Sequence, residues 1–153
     1  MPEMLDRRDA LKTLAAGGTG LMLGIPLAMA QGVPVKAAEL NKLAKDWDMV
    51  VFDFANSKAV LVRIPKQDKP DKRVLEVKQG EASFYLAAHQ LVCTHEGCTP
   101  ALPNAQHQMV CPCHESTYKA EDGTVVSGPA PGPLKGIKIE VKEGVVFALG
   151  FVD

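Results

Sequence analysis

A chain of 153 residues, 46% hydrophobic and 23% charged, is long enough for one domain with a modest core. Its formal net charge is −1, and no basic cluster lies beyond the first residues, so neither nucleic acid nor an acidic membrane surface is suggested as a partner. No internal repeat and no nucleotide-binding glycine motif is present.

Residues 1–30 read as a targeting segment rather than as fold. Asp6-Arg7-Arg8-Asp9-Ala10-Leu11-Lys12 resembles the twin-arginine export motif. An apolar, glycine-rich stretch from Leu14 to Leu27 follows, and then Ala28-Met29-Ala30, an A-x-A-type cleavage site. The alternative is an uncleaved membrane anchor, because Thr13 to Ala30 carries no charge over a length near the lower limit for a bilayer. Gly17, Gly18, Gly20, Gly24 and Pro26 dilute that stretch and favour cleavage. Residues 31–46 read as a linker interrupted by Gly32 and Pro34, with a short helical turn over Ala38 to Lys45 that faces Leu40 and Leu43 inward.

From Trp47 the period changes to two, and 47–153 is predicted to form the domain proper. Val51 to Phe54 and Ala59 to Ile64 are the first strands of an antiparallel sheet, joined by a turn at Asn56-Ser57-Lys58. Pro65 to Asp71 is a solvated loop. Val74 to Val77 and Ser83 to Ala88 continue the strands around a turn at Gln79-Gly80 and deliver the chain to Cys93.

All four cysteines fall in the next two loops. Cys93-Thr94-His95-Glu96-Gly97-Cys98 is followed, after a spacer from Thr99 to Val110 with Pro100, Pro103 and Asn104, by Cys111-Pro112-Cys113-His114-Glu115-Ser116. A Cys-x-His pair facing a Cys-x-x-His pair supplies two thiolates and two imidazoles, and leaves one cysteine in each loop. Zinc takes such a set as a Cys₂His₂ tetrahedron; a [2Fe–2S] cluster takes it with two thiolates on one iron and two imidazoles on the other.

Past the loops, Asp122-Gly123 is a turn signal and Val125-Val126 a short strand, as is Gln108 to Val110 before the second loop. Gly128 to Pro133 is stiff with proline. Ile137 to Val141 and Val145 to Leu149 form a closing hairpin about Lys142-Glu143-Gly144. The expected class is all-β: a small antiparallel β-sandwich with an inserted subdomain carrying the cysteine loops.

The paired loops resemble the Rieske iron–sulfur signature, C-T-H-x-G-C followed by C-P-C-H-x-S. The resemblance runs through Tyr118 and Gly128-Pro129-Ala130-Pro131 and covers roughly Val50 to the C-terminus. It implies a Rieske fold with one [2Fe–2S] cluster, Cys93 and Cys111 binding the buried iron and His95 and His114 the outer one. It implies a disulfide between Cys98 and Cys113, and a third loop, Gly128 to Pro133, folded across the cluster. Two neutral imidazoles in place of thiolates make the cluster less negative and raise its potential, to a range of roughly −150 to +300 mV. Ser116 and Tyr118 match the high-potential branch, whose hydroxyls donate hydrogen bonds to a bridging sulfide and a cysteine sulfur.

Two positions depart from the quinol-oxidising pattern. Glu96 stands where those proteins usually carry an apolar residue, and Glu115 where they usually have glycine. Two carboxylates at the tip disfavour burial in an apolar pocket and suit a partner with a basic face.

Three functions are therefore expected in order. The first is an exported, high-potential electron-transfer protein, or the small subunit of a periplasmic oxidoreductase resembling arsenite oxidase, serving a redox protein partner. The second is the Rieske subunit of a quinol-oxidising cytochrome bc-type complex, held at the periplasmic face of the inner membrane by an uncleaved leader beside a cytochrome b-type subunit. The third is a structural zinc-binding module. No catalysis by the chain alone is expected, since no nucleophile stands beside a spare base and no carboxylates pair in a cleft motif. His89 and His107 lie outside the two pairs; His89, just before the first loop, reads as a surface or packing residue, with a role supporting the ligands as the alternative, and Trp47 as a core or sheet-edge residue.

Overall fold

β-Branched and aromatic residues recur from Val35 to Phe151, and the computed structural model, which describes residues 32–153, is built of strands with one short 3-10 helix at Leu40–Lys42. In order they are β1 (Val35–Glu39), β2 (Met49–Phe54), β3 (Ser57–Ile64), β4 (Val74–Gln79) and β5 (Ala82–Gln90). Then follow β6 (Gln108–Val110), β7 (Thr117–Lys119), β8 (Val125–Ser127), β9 (Ile137–Lys142) and β10 (Val145–Phe151). The leader read at residues 1–30 lies outside the described residues. Among the described residues no helix is long and apolar enough to cross a membrane.

The strands make three antiparallel sheets, ordered β1-β10-β9, β2-β3-β5-β4 and β6-β7-β8. The four-stranded sheet is the middle layer. One face, with Ala59, Leu61, Phe84, Leu86 and Ala88, packs on Ile137, Ile139, Val146 and Ala148 of the β1-β10-β9 sheet. On the other face Val60 joins Met109, Tyr118 and Leu134 of the lobe that carries the cysteine loops. Because both faces are covered, β3 and β5 do not alternate. Ala59, Val60, Leu61 and Val62 in succession are fully buried, as are Leu86, Ala87, Ala88 and His89.

Four expectations change. The segment read as a linker contains β1, which pairs with β10 from Val35 to Glu39 and buries Ala37 and Ala38. Without it β10 would present an unpaired edge, and Pro34 sits before the strand, where it removes no ladder bond. The helical turn shrinks to Leu40–Lys42; Leu43 beyond it is buried, whereas Leu40 is only half-buried. The β2–β3 turn falls on Ala55-Asn56, with φ of 49° and 61°, and Ser57 and Lys58 belong to β3. Two left-handed residues match the twist of a two-residue hairpin, and Asn56 tolerates that conformation. Finally, Thr117–Lys119 forms β7, a strand absent from the sequence reading, because this short Thr-Tyr-Lys segment has no apolar pair like those of β6 and β8.

Candidate metal centre

The two cysteine loops share one backbone frame. In the first, Cys93 N–H donates to the Cys98 carbonyl at 2.7 Å and Gly97 N–H to the Cys93 carbonyl at 2.8 Å. In the second, Cys111 N–H donates to Ser116 at 2.8 Å and Glu115 N–H to Cys111 at 3.0 Å. The fifth place is left-handed in both, Gly97 at φ 81° and Glu115 at φ 59°. Glycine fits that place without cost; glutamate does not. The frames differ in cargo: the first puts its histidine at the third place and the second at the fourth.

That difference lets the loops face each other. Cys93 and Cys111 are buried, 3% and 1% exposed, and free. Cys98 and Cys113 are joined in a disulfide with Cα atoms 6.4 Å apart. The His95 and His114 rings lie 4.6 Å apart at 88°. His95 Nδ1 is buried without a hydrogen-bond partner, and the half-exposed His114 presents Nε2 to Glu96 at 3.7 Å.

A third loop closes over them. Thr94 Oγ1 donates to the Gly132 carbonyl at 2.7 Å, and Ala130 N–H to the buried Ser116 Oγ at 3.1 Å. Gly128 makes the approach possible. With φ of +93°, a Cβ there would lie 2.6 Å from Ser116 Cα.

Tyr118 is fully buried beneath the first loop, its hydroxyl 3.1 Å from Cys93 Sγ and 3.2 Å from Thr94 Oγ1, while accepting Thr94 N–H at 3.1 Å. Burial, then the Cys93 sulfur, push the phenol pKa up, so it stays a donor. At Cys93 burial opposes ionisation, but the Tyr118 hydroxyl, the N–H groups of His95 and Glu96, and the Cys111 thiol outweigh it and hold the thiol below its ordinary value. At Cys111 burial wins and pushes the thiol up.

The donors fit a two-iron cluster better than one zinc ion. Four ligands around zinc at 2.0–2.3 Å stand only about 3.3–3.8 Å from one another. Among the described residues, no group of three or more candidate ligand atoms within 4.8 Å of one another mixes a cysteine with a histidine; His95, Glu96 and His114 form one group, Cys98, Cys111 and Cys113 another. Free buried thiols on one side and paired imidazoles on the other, one with an unpartnered buried nitrogen, match the asymmetric donor set of a Rieske cluster. Of the remaining sequence candidates, His89 is fully buried, in line with the packing rather than the surface part of its reading, and the His107 ring stacks on Trp47.

A three-layer β-domain with such a donor set defines an iron–sulfur electron-transfer protein. The chain belongs to the Rieske family: the family model described as Rieske [2Fe-2S] domain matches residues 34–138. With that membership come one [2Fe–2S] cluster as cofactor and one-electron transfer as function. Over 76 residues, half of this chain and 40% of the relative, it is 37% identical to the cytochrome b6-f complex iron-sulfur subunit of Chlorobaculum tepidum. Over 101 residues, 64% of this chain and 57% of the relative, it is 36% identical to the cytochrome bc1 complex Rieske iron-sulfur subunit of Streptomyces lividans. The chain thus spans about half the length of these two relatives. The soluble domain of Rieske protein II from Sulfolobus acidocaldarius has the same fold, with a TM-score of 0.58 and 22% identity over 80% of each chain.

Proposed function

We propose that this protein is the Rieske subunit of a quinol-oxidising cytochrome bc-type complex, with a cytochrome b-type subunit as partner. The observation that carries the reading is the identity of its relatives, subunits of b6-f and bc1 complexes. It reverses the order of expectation from sequence, where an arsenite-oxidase-like small subunit stood first. On this reading residues 1–30 are exported by the twin-arginine route and retained as an anchor, so that residues 32–153 work at the periplasmic face.

When bound, the cluster supplies a reversible one-electron store. Cys93 and Cys111 would hold it from the buried side and His95 and His114 from the rim. Tyr118 shares its proton between Thr94 Oγ1 and Cys93 Sγ, and the part directed at the sulfur stabilises added negative charge there. Ser116, held by Ala130 N–H, keeps its own hydroxyl hydrogen for the interior of the site. The third loop keeps water from the thiol side, while His114 leaves a nitrogen at the surface for a donor to approach.

A second reading is favoured by the acidic tip. Glu96 and Glu115 are both exposed beside the imidazoles. Carboxylates there suit a soluble carrier or catalytic subunit with a basic face. Affinity purification of the tagged chain from native membranes and from periplasm separates the two. Recovery from membranes with a b-type haem spectrum and a sequence still containing Leu14 to Leu27 is expected. Recovery from periplasm with an N-terminus near Gln31 refutes the bc-type reading.

A further inference from the structure

Two histidines take no part in the cysteine loops. His89 stands on β5, fully buried, and its Nε2 lies 2.8 Å from the Ala120 carbonyl just past β7. A carbonyl only accepts, so Nε2 carries the hydrogen and Nδ1 is bare. That nitrogen is buried without a partner. The turn after β7 folds over the ring: a Cβ on Gly123, at φ +74°, would meet His89 Nδ1 at 3.0 Å.

His107 holds the same residue from the other side. Its carbonyl accepts Ala120 N–H at 2.9 Å, and its imidazole lies flat on the Trp47 indole, centroids 3.5 Å apart and planes within 5° of parallel. Both residues are left-handed, Trp47 at φ 75° and His107 at φ 58°, a conformation that bulky side chains keep only where their surroundings impose it. The imposing bonds are Trp47 N–H to the Arg63 carbonyl at 2.6 Å, at the end of β3, and His107 N–H to the Asn104 carbonyl at 2.9 Å. Trp47 belongs to the approach to the four-stranded sheet and His107 to the lobe. The His89 ring therefore reaches from the sheet to the Ala120 carbonyl, while His107 holds Ala120 N–H by its backbone carbonyl and lays its own ring onto Trp47.

We infer that His89 and His107 are positioning residues that clamp the β6-β7-β8 lobe, with the cysteine loops it carries, onto the four-stranded sheet, and that the clamp loosens as pH falls. Asp122 of the β7–β8 turn and Asp71 and Arg73 of the loop before β4 are the charged groups facing His89. Lys119, Glu121 and Asp122 line the same small cavity as His107. Burial is the largest influence on His89 and pushes its pKa down; the Ala120 hydrogen bond and the two aspartates act against it. A histidine whose pKa is lowered in the seated form binds protons more readily when released. Seating is therefore at full strength above the ordinary histidine value and weakens as pH drops below it.

Amide hydrogen exchange on the full chain with its cluster bound tests this, with protection of β6, β7 and β8 read against that of β2 and β3. His107→Ala and His89→Leu are each expected to lower protection of the lobe by about 5- to 10-fold, the loss of one or two local contacts, and to leave β2 and β3 unchanged. His107→Phe, which keeps the stack, and His89→Gln, which keeps a donor for Ala120, should restore it at neutral pH. The glutamine variant should also lose the acid-induced loosening. In His107→Ala the emission of the single tryptophan should change, because its stacked neighbour is gone. Lobe and sheet losing protection together, or acid dependence persisting in His89→Gln, would overturn the clamp. Should His89→Leu fail to fold, the half-exposed His107→Ala carries the same test. These readouts do not depend on which complex the cluster serves.

Discussion

Replacing Tyr118 by phenylalanine removes one oxygen from a fully buried site and separates two effects that the geometry predicts. The hydroxyl accepts Thr94 N–H at 3.1 Å and sits 3.1 Å from Cys93 Sγ and 3.2 Å from Thr94 Oγ1. Thr94 spends its own proton on Gly132 at 2.7 Å, so its oxygen is left to accept. The Tyr118 proton is therefore shared between Thr94 Oγ1 and the sulfur. A hydrogen bond stronger by about 1–2 kcal/mol in the reduced state than in the oxidised one raises a one-electron potential by about 40–90 mV. Tyr118→Phe should lower the potential by that amount, at the smaller end if Thr94 takes most of the proton. It also strands Thr94 N–H, which costs about 1–3 kcal/mol of stability. Protein-film voltammetry reads the first effect and thermal melting the second. An unchanged potential in a folded variant with its cluster bound would refute the role given to this hydroxyl.

Further outcomes follow from the loops. Cys98→Ser opens a link whose loop closure is worth about 3 kcal/mol, and the Rieske visible spectrum should be lost on purification. Glu115→Gly relieves a left-handed glutamate and should raise stability by roughly 1 kcal/mol in a melt, with the spectrum intact. Gly128→Ala, by contrast, drives a methyl into the Ser116 backbone and should abolish cluster retention, seen as loss of iron and sulfide in the isolated protein. Glu96→Leu removes a carboxylate 3.7 Å from His114 Nε2 and should raise the potential, an effect that shrinks as salt is added.

Much of this architecture was legible from residue order, and the failures have physical causes. Strands longer than five residues announced themselves by composition, as did the closing hairpin. β1 was hidden because Gly32 and Pro34 precede it and because its partner β10 is more than a hundred residues away in sequence. The burial of both faces of β3 could be suspected from the unbroken run Ala59-Val60-Leu61-Val62, but only the tertiary packing supplies the reason: the lobe covers Val60, and Trp47, Met49 and Val74 cover Val62. At the site, the residue types and their spacing singled out the thiols and imidazoles that the structure gathers in the two facing loops. The shared frame of the two loops was invisible, since it lies in carbonyls and N–H groups and not in side chains. Glu115 then appeared as an oddity of charge, whereas its φ shows a cost of conformation as well. His89 and His107 carried no signal in sequence, because a clamp is defined by the distant partners that each residue reaches.

The twin loops make the mould separate from what it displays. One hydrogen-bonded ring of backbone offers its first position to a thiolate and either its third or its fourth to an imidazole, so the frame does not dictate which of the two later places turns toward a metal. Exchanging those side chains could therefore retune the electronic character of such a centre stepwise, one codon at a time, while the architecture that encloses it stays fixed.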